Sequence, residues 1–483
     1  MASASDVAKL NGYRSGCVRM FVFALPTCRP FDLGVCYASS TGTEDSAAFV
    51  QALGKSRMEV SILLNNMSSL EDKLASLNTY LVHALRLHEL YTRSPESVKV
   101  DRDPEYIWRG CMTLPTEQIL RTNDVLYEVM MLLHTKALVL HNLAKSLVDT
   151  DPLAFVADAG KHLLEASSIM TYLGDNISSD KWKRSFSRRL PNPRELNEHI
   201  CYALAATFKA HAQALSFAKT LSASAPDSIK ARLCVGVSST CAAAMQSLSQ
   251  AEGGLPASSA LTTHLHCTRQ LYLAMAHYHQ AQAYLEKKEV GNSIAYCRTA
   301  RSHLAEQAKA VKIAWTAVGL PKTASRELGP MLVYLGEVIA VTDKAANQDN
   351  NFVYFQVTPG PTETPPLPLE ASVMNPPRYA EPPQAQDLQL VYVPKKSVMS
   401  QFSSVFSWGS SAKKEPEDKA DGAPAPAAES APAPAPAPDA PMSADEAYAR
   451  QLQLQFDAQA QAPPSAPPAP PTPPGPPQYN SLV

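Results

Sequence analysis

The chain has 483 residues, 18% of them charged, and a formal net charge of -2. This balance gives no electrostatic reason to expect nucleic acid as a partner, because phosphate backbones call for a clustered basic face. Of the 40 prolines, 28 lie beyond Gln356, where Ala-Pro runs displace aromatic and β-branched residues, so folding is expected to stop near that point.

The residues before that point are rich in Ala, Leu, Ser and His and poor in Gly, which favours one large helical domain over a sheet protein. Residues 1–43 contain Pro26, Pro30, Gly34 and Gly42 among apolar residues and read as an irregular or short-stranded lead-in. The apolar run at 20–26 is too short for a secretory signal. Thr43-Glu44-Asp45-Ser46 predicts a helix start, with apolar residues at helical spacing through Leu63. A second helix is predicted over about 70–90, and a third over about 116–148. A fourth opens at Asp151-Pro152 and ends near Gly174. A basic loop at 181–189 leads to a helix over about 195–221 and to another opened by Ser224-Ala225-Pro226-Asp227. In the latter, Ile229, Leu233, Val237, Cys241 and Met245 recur every four residues. Three more helices are predicted over about 258–288, 292–318 and 330–347. Ala281, Tyr284, Ser293, Cys297 and Ala300 stand where a tetratricopeptide repeat alternates small and large residues, a half-match that supports stacked helix pairs.

Enzyme signatures are missing: the sequence has no phosphate-cradling Gly-rich loop, no Gly-x-Ser-x-Gly elbow and no His-Glu-x-x-His helix, and it implies no cofactor. His264, His266, Cys267, His277 and His279 cluster, but residues two apart on a helix point to different faces, so structural roles are expected. His266-Cys267 lacks the arginine that a phosphatase loop needs, since Leu273 stands at that position. The nine cysteines contain no Cys-x-x-Cys pair and sit mostly in apolar stretches, as reduced, packed thiols of a cytosolic protein would.

Asp349-Asn350-Asn351-Phe352-Val353-Tyr354-Phe355-Gln356, followed by Pro359, resembles the Asn-x-Phe-Ile-Tyr stretch that closes Bro domains, the module of Alix-type and Brox-type endosomal adaptors. Tyr106-Ile107-Trp108-Arg109, the Lys-His-containing helix at 159–173 and the segment from Ala212 to Leu233 are similar to that family as well. Tyr354-Phe355-Gln356 and the following Pro-Leu-Pro-Leu-Glu look closest to the Brox type. The resemblance implies an all-α architecture, a curved helical solenoid with tetratricopeptide-like helix pairs, followed by a disordered proline-rich tail. The expected divisions are an N-terminal extension at 1–27, a Bro-type domain at 28–395 that includes a fold-back segment at 357–395, and a tail at 396–483. It also implies a non-catalytic adaptor whose domain binds the C-terminal amphipathic helix of an ESCRT-III subunit, and it carries Ile229 and Leu233 onto the binding patch. Ser216 stands where Alix-type proteins place a patch phenylalanine, and the last five residues lack the prenylated cysteine of Brox-type proteins. With Ala2 in place of a myristoylated glycine, the expectation is peripheral membrane association through partners, on a cytoplasmic protein recruited to endosomes.

Beyond the helices, Pro376-Pro377-Arg378-Tyr379 and Pro476-Pro477-Gln478-Tyr479 are Pro-Pro-x-Tyr ligands for WW domains of the kind found in ubiquitin ligases, the first being open also to a structural reading because the resemblance implies that its stretch folds back on the domain. Pro464-Ser465-Ala466-Pro467 looks like a late-domain peptide for ESCRT-I. Ser443-Ala444-Asp445-Glu446 is a capping box, after which Tyr448, Leu452 and Phe456 share one face of a potential binding helix. Phe402, Val405, Phe406 and Trp408 form a further apolar cluster, for which packing on the domain is the simpler reading. The competing reading of the whole chain is a helical-repeat signalling scaffold or co-chaperone with no ESCRT link.

Overall fold

The computed structural model describes residues 18–382 except 19, 41–42, 94–97, 113–118, 120, 152–153, 180–193, 224, 252–259, 318–321 and 372–373; at 39–40, 307–317 and 322–330 it describes the backbone alone. Within these residues the protein is a row of nine α-helices: α1 (Glu44–Asn65), α2 (Leu70–Arg93), α3 (Val125–Thr150), α4 (Val156–Ser178), α5 (Glu198–Ser222), α6 (Asp227–Gln250), α7 (Ala260–Glu286), α8 (Val290–Ala317) and α9 (Lys322–Asp349). Each packs chiefly on its neighbours in chain order, the connectivity of a solenoid of helix pairs.

Local chemistry explains most of the boundaries. Thr43 and Ser46 form a capping box at α1, each side chain accepting the other's backbone N–H at 3.1 and 3.0 Å. The helix predicted from about residue 116 begins instead at Val125. Arg121–Thr122 is a short strand, and Asp124 caps the helix by accepting the Leu126 N–H at 2.8 Å. Gly174 does not end α4, which continues to Ser178. A Cβ there would stand 2.7 Å from the Tyr202 ring, so the glycine serves close helix approach. The last helix starts about eight residues earlier than its pattern suggests, at Lys322.

The lead-in contributes one short strand, followed by a 3-10 helix at Leu33–Ser40. Thr27–Cys28 (β1), Tyr106–Arg109 (β2) and Arg121–Thr122 (β3) make a small antiparallel sheet in the order β1-β2-β3, with Cys28 opposite Trp108. Strand alternation sends Tyr106 and Trp108 into the core and Ile107 and Arg109 outward. Beneath the sheet, Glu128 of α3 joins three elements. It pairs with Arg57 of α1 at 2.6 Å and accepts Tyr80 of α2 at 3.1 Å and the Trp108 indole at 2.5 Å. Both charged side chains are fully buried; besides Glu128, the Arg57 guanidinium donates to the Cys28 sulfur at 3.4 Å and lies 4.9 Å over the Phe31 ring, while its Nη2 has no hydrogen-bond partner among the described residues.

At the other end, Ala281, Ser293, Cys297 and Ala300 are all buried at the α7–α8 contact, with Tyr284 5.3 Å from Tyr296. Small residues let the two backbones approach, as the half-match to a tetratricopeptide pattern anticipates.

Candidate functional site

Ile229 and Leu233, expected on a ligand-binding surface, are core residues in this structure, 2% and 0% exposed. Val237 and Cys241 continue their stripe and are equally buried; burial pushes the Cys241 thiol up to about 12. A four-residue spacing gathers side chains on one helix face, but it does not say whether that face meets a ligand or the chain's own core. Ser216 on α5 is buried too, its hydroxyl donating to the Ala212 carbonyl at 3.3 Å.

The same α5–α6 pair meets an extended strap that leaves α9 and runs back across the helices. The Tyr296 hydroxyl of α8 lies 2.6 and 3.0 Å from the Pro365 and Pro366 carbonyls. On α6, the Arg232 guanidinium donates to the Leu369 carbonyl at 3.2 Å, the Ala371 N–H donates to the Arg232 carbonyl at 3.2 Å, and the Ser239 hydroxyl bonds Glu370. On α5, Gln213 donates to the Ala371 carbonyl at 2.5 Å. Gly236 makes this seat possible, since a Cβ there would come 2.8 Å from that same carbonyl oxygen. Ala371 and Met374 are buried, whereas Leu369 stands 87% exposed beside Arg232.

The last described residues of the strap pack on α4. The Tyr379 ring lies 5.1 Å from that of Tyr172, its hydroxyl is buried, and the Tyr172 hydroxyl donates to Glu381. Burial and the neighbouring carboxylate push both phenols up. Of the first predicted WW ligand, then, Pro376, Pro377 and Tyr379, the tyrosine that a WW groove would have to grip is packed on the helical domain. The second ligand, Pro476, Pro477 and Tyr479, lies outside the described residues, as do Pro464, Ser465, Ala466 and Pro467, the helix at 443–460 and the 402–408 cluster.

The clustered histidines go to separate partners. His264 is 3.1 Å from His211, which is 2.9 Å from His141, so three imidazoles form a hydrogen-bonded line through the interior. His279 contacts Asp227 at 2.7 Å, and His277 stacks on His303 at 5.3 Å. Burial lowers His141 to about 3 and His277 to about 4, holding both neutral. Among the described residues no group of three or more His, Cys, Asp or Glu could hold a metal ion. Burial pushes the Cys28, Cys201 and Cys297 thiols up to about 12.

The profile of the BRO1-like domain family matches residues 39–407. The chain belongs to that family. No curated protein sequence matches it. Among solved structures, the fold is similar to that of the ALIX BRO1 domain in its complex with CHMP4C (17% identity, TM-score 0.59, covering 77% of this chain and 98% of that one). It is similar to ALIX bound to the SIVmac239 PYKEVTEDL late domain (17%, 0.61, covering 80% and 53%) and to a Bro1 domain described as a basis for endosomal targeting (15%, 0.54, covering 74% and 92%). At these identities the likeness concerns the fold of the BRO1-like domain. Among its described residues no helix is long and apolar enough to cross a membrane.

Proposed function

We propose that the protein is an adaptor of the ESCRT system, a scaffold rather than an enzyme, acting in endosomal sorting or membrane scission. The observation that carries this reading is membership of the BRO1-like family across 39–407, joined to a fold shared with a domain solved in complex with CHMP4C, an ESCRT-III subunit. On this reading the protein is cytoplasmic and is recruited to endosomes, in keeping with the targeting described for a structural relative.

The helical domain docks the C-terminal amphipathic helix of an ESCRT-III subunit. With Ile229 and Leu233 interior, the docking surface is the strap-crossed side of the α5–α6 pair. There exposed Leu369 offers an apolar anchor beside the Arg232 guanidinium. The Pro-Pro-x-Tyr motif ending at Tyr479 engages WW domains, and residues 464–467 engage ESCRT-I. Separate weak motifs on one chain raise effective concentration without new contacts.

Calorimetry of the full chain against an ESCRT-III C-terminal peptide tests the proposal. Saturable binding that falls at least tenfold in Leu369→Asp, with the melting temperature unchanged, supports it. Absence of binding by the folded wild-type protein would refute it and favour a helical-repeat scaffold without an ESCRT link.

A further inference from the structure

Where α9 ends, the chain makes a single π-helical turn, Asn350–Tyr354, and then turns sharply at Phe355. The apolar side chains on this turn face solvent: Phe352 is 80% exposed, Val353 63%, Phe355 74% and Val357 88%. Four such side chains on six consecutive residues form a contiguous apolar protrusion, which a soluble surface seldom shows without a use for it.

The protrusion is built rigidly. Asn350 accepts the Phe355 N–H on its carbonyl at 2.7 Å and the Gln356 N–H on its side chain at 2.8 Å, and its amide donates to the Gln356 carbonyl at 2.8 Å. The Gln356 side chain then bonds the Lys288 carbonyl at 2.8 Å and the Gly291 N–H at 3.0 Å, fastening the protrusion to the α7–α8 turn. Phe355 itself sits at φ 50°, a left-handed conformation that is unfavourable for a bulky side chain. Strain of this kind persists where the surroundings over-determine it, and its result here is to hold Phe355 outward.

We infer that residues 352–357 form a lipid-contacting tip that inserts Phe352, Val353, Phe355 and Val357 into the interfacial layer of a bilayer. Three features favour a lipid surface over a protein groove. Its four apolar side chains stand 63–88% exposed, projecting into solvent in a way that suits a deformable acceptor. Key backbone polar groups at its base are paired internally, which lowers the cost of entering a medium with few hydrogen-bond partners. The adjoining charges are mixed, with exposed Lys287 and Lys288 set beside Glu286, Glu289 and Asp349 for a small negative excess, so insertion is apolar and draws nothing from anionic headgroups. The inference complements the proposed endosomal role, adding a direct contact to recruitment through partners, but it is tested without any ESCRT component.

The test is flotation of the full chain with partner-free vesicles of dioleoylphosphatidylcholine, with and without about 20 mol% phosphatidylserine, at low and high salt. Wild-type protein is expected to float with neutral vesicles and to resist salt. Phe352→Asp with Val357→Asp should reduce the bound fraction at least tenfold with an unchanged melting curve, because both side chains are exposed. Failure of the wild-type protein to bind neutral vesicles would overturn the inference, as would binding that requires phosphatidylserine and disappears in salt. Binding that survives the double substitution but is lost on Phe402→Ser with Phe406→Ser would equally overturn it, assigning the contact to the tail.

Discussion

Replacing Ile229 and Leu233 together by Asp separates a surface patch from a core. In this structure the two side chains are 2% and 0% exposed. Losing each aliphatic burial costs about 1.5–3 kcal/mol, and placing an ionised carboxylate in each site adds several kcal/mol unless the acid stays protonated. The sum reaches about 8 kcal/mol or more, comparable with the whole stability of a typical domain, about 5–15 kcal/mol. The double variant should therefore be unfolded or molten at 25 °C, and Ile229→Ala alone should cost about 2–5 kcal/mol. Circular dichroism melts and urea titrations read both outcomes. A double variant that melts within a few degrees of wild type, with selective loss of an ESCRT-III peptide, would refute the core assignment and restore these residues to a ligand surface.

Three further outcomes follow from buried polar groups and from the strap. His134 is buried with neither ring nitrogen hydrogen-bonded, and burial lowers it to about 3. Between the unfolded value of about 6.5 and that folded value the unfolded chain binds more protons, so stability present above pH 6.5 is lost as pH falls. The loss is about 2 kcal/mol at pH 5 from this residue, and His134→Met should remove that share of the pH dependence in urea titrations at pH 7 and 5. Glu128→Ala strands the Arg57 charge in the core and should destabilise by about 3–5 kcal/mol; a loss under 1 kcal/mol in denaturant melts would contradict the pairing described. Tyr172→Ala removes the ring under Tyr379, so in a chain with Tyr479→Ala it should raise WW-domain affinity for the motif ending at Tyr379, measured by fluorescence anisotropy. Equal affinity with and without Tyr172 would mean that the packed tyrosine is already available.

Much of the helical order was legible because its signals are local: the capping box at Thr43 and the small residues of the α7–α8 contact need only neighbouring positions to be read. What escaped depends on distant chain. The strand at 121–122 displaced a predicted helical turn because β2 pairs with it. Gly174 reads as a terminator in the sequence alone, but its role is set by Tyr202, which packs against it from α5. The stripe through Ile229 and Leu233 was correctly read as one face, but which side of that face is the interior is decided by other helices. Exposed Leu369 escapes periodicity, because it lies in an irregular Pro-rich stretch that runs across α6.

That strap also alters how the row of helices should come apart. A repeat array held only by nearest-neighbour contacts frays from its ends, each unit opening nearly independently. Here one segment bonds Tyr296 on α8, Arg232 on α6 and Gln213 on α5, then packs on Tyr172 on α4. Opening any of these helices must therefore strip contacts belonging to the others. The brace turns a chain of separable units into one cooperative block, so amide protons across α4 to α8 should exchange through a shared opening rather than in a gradient from the C-terminal end.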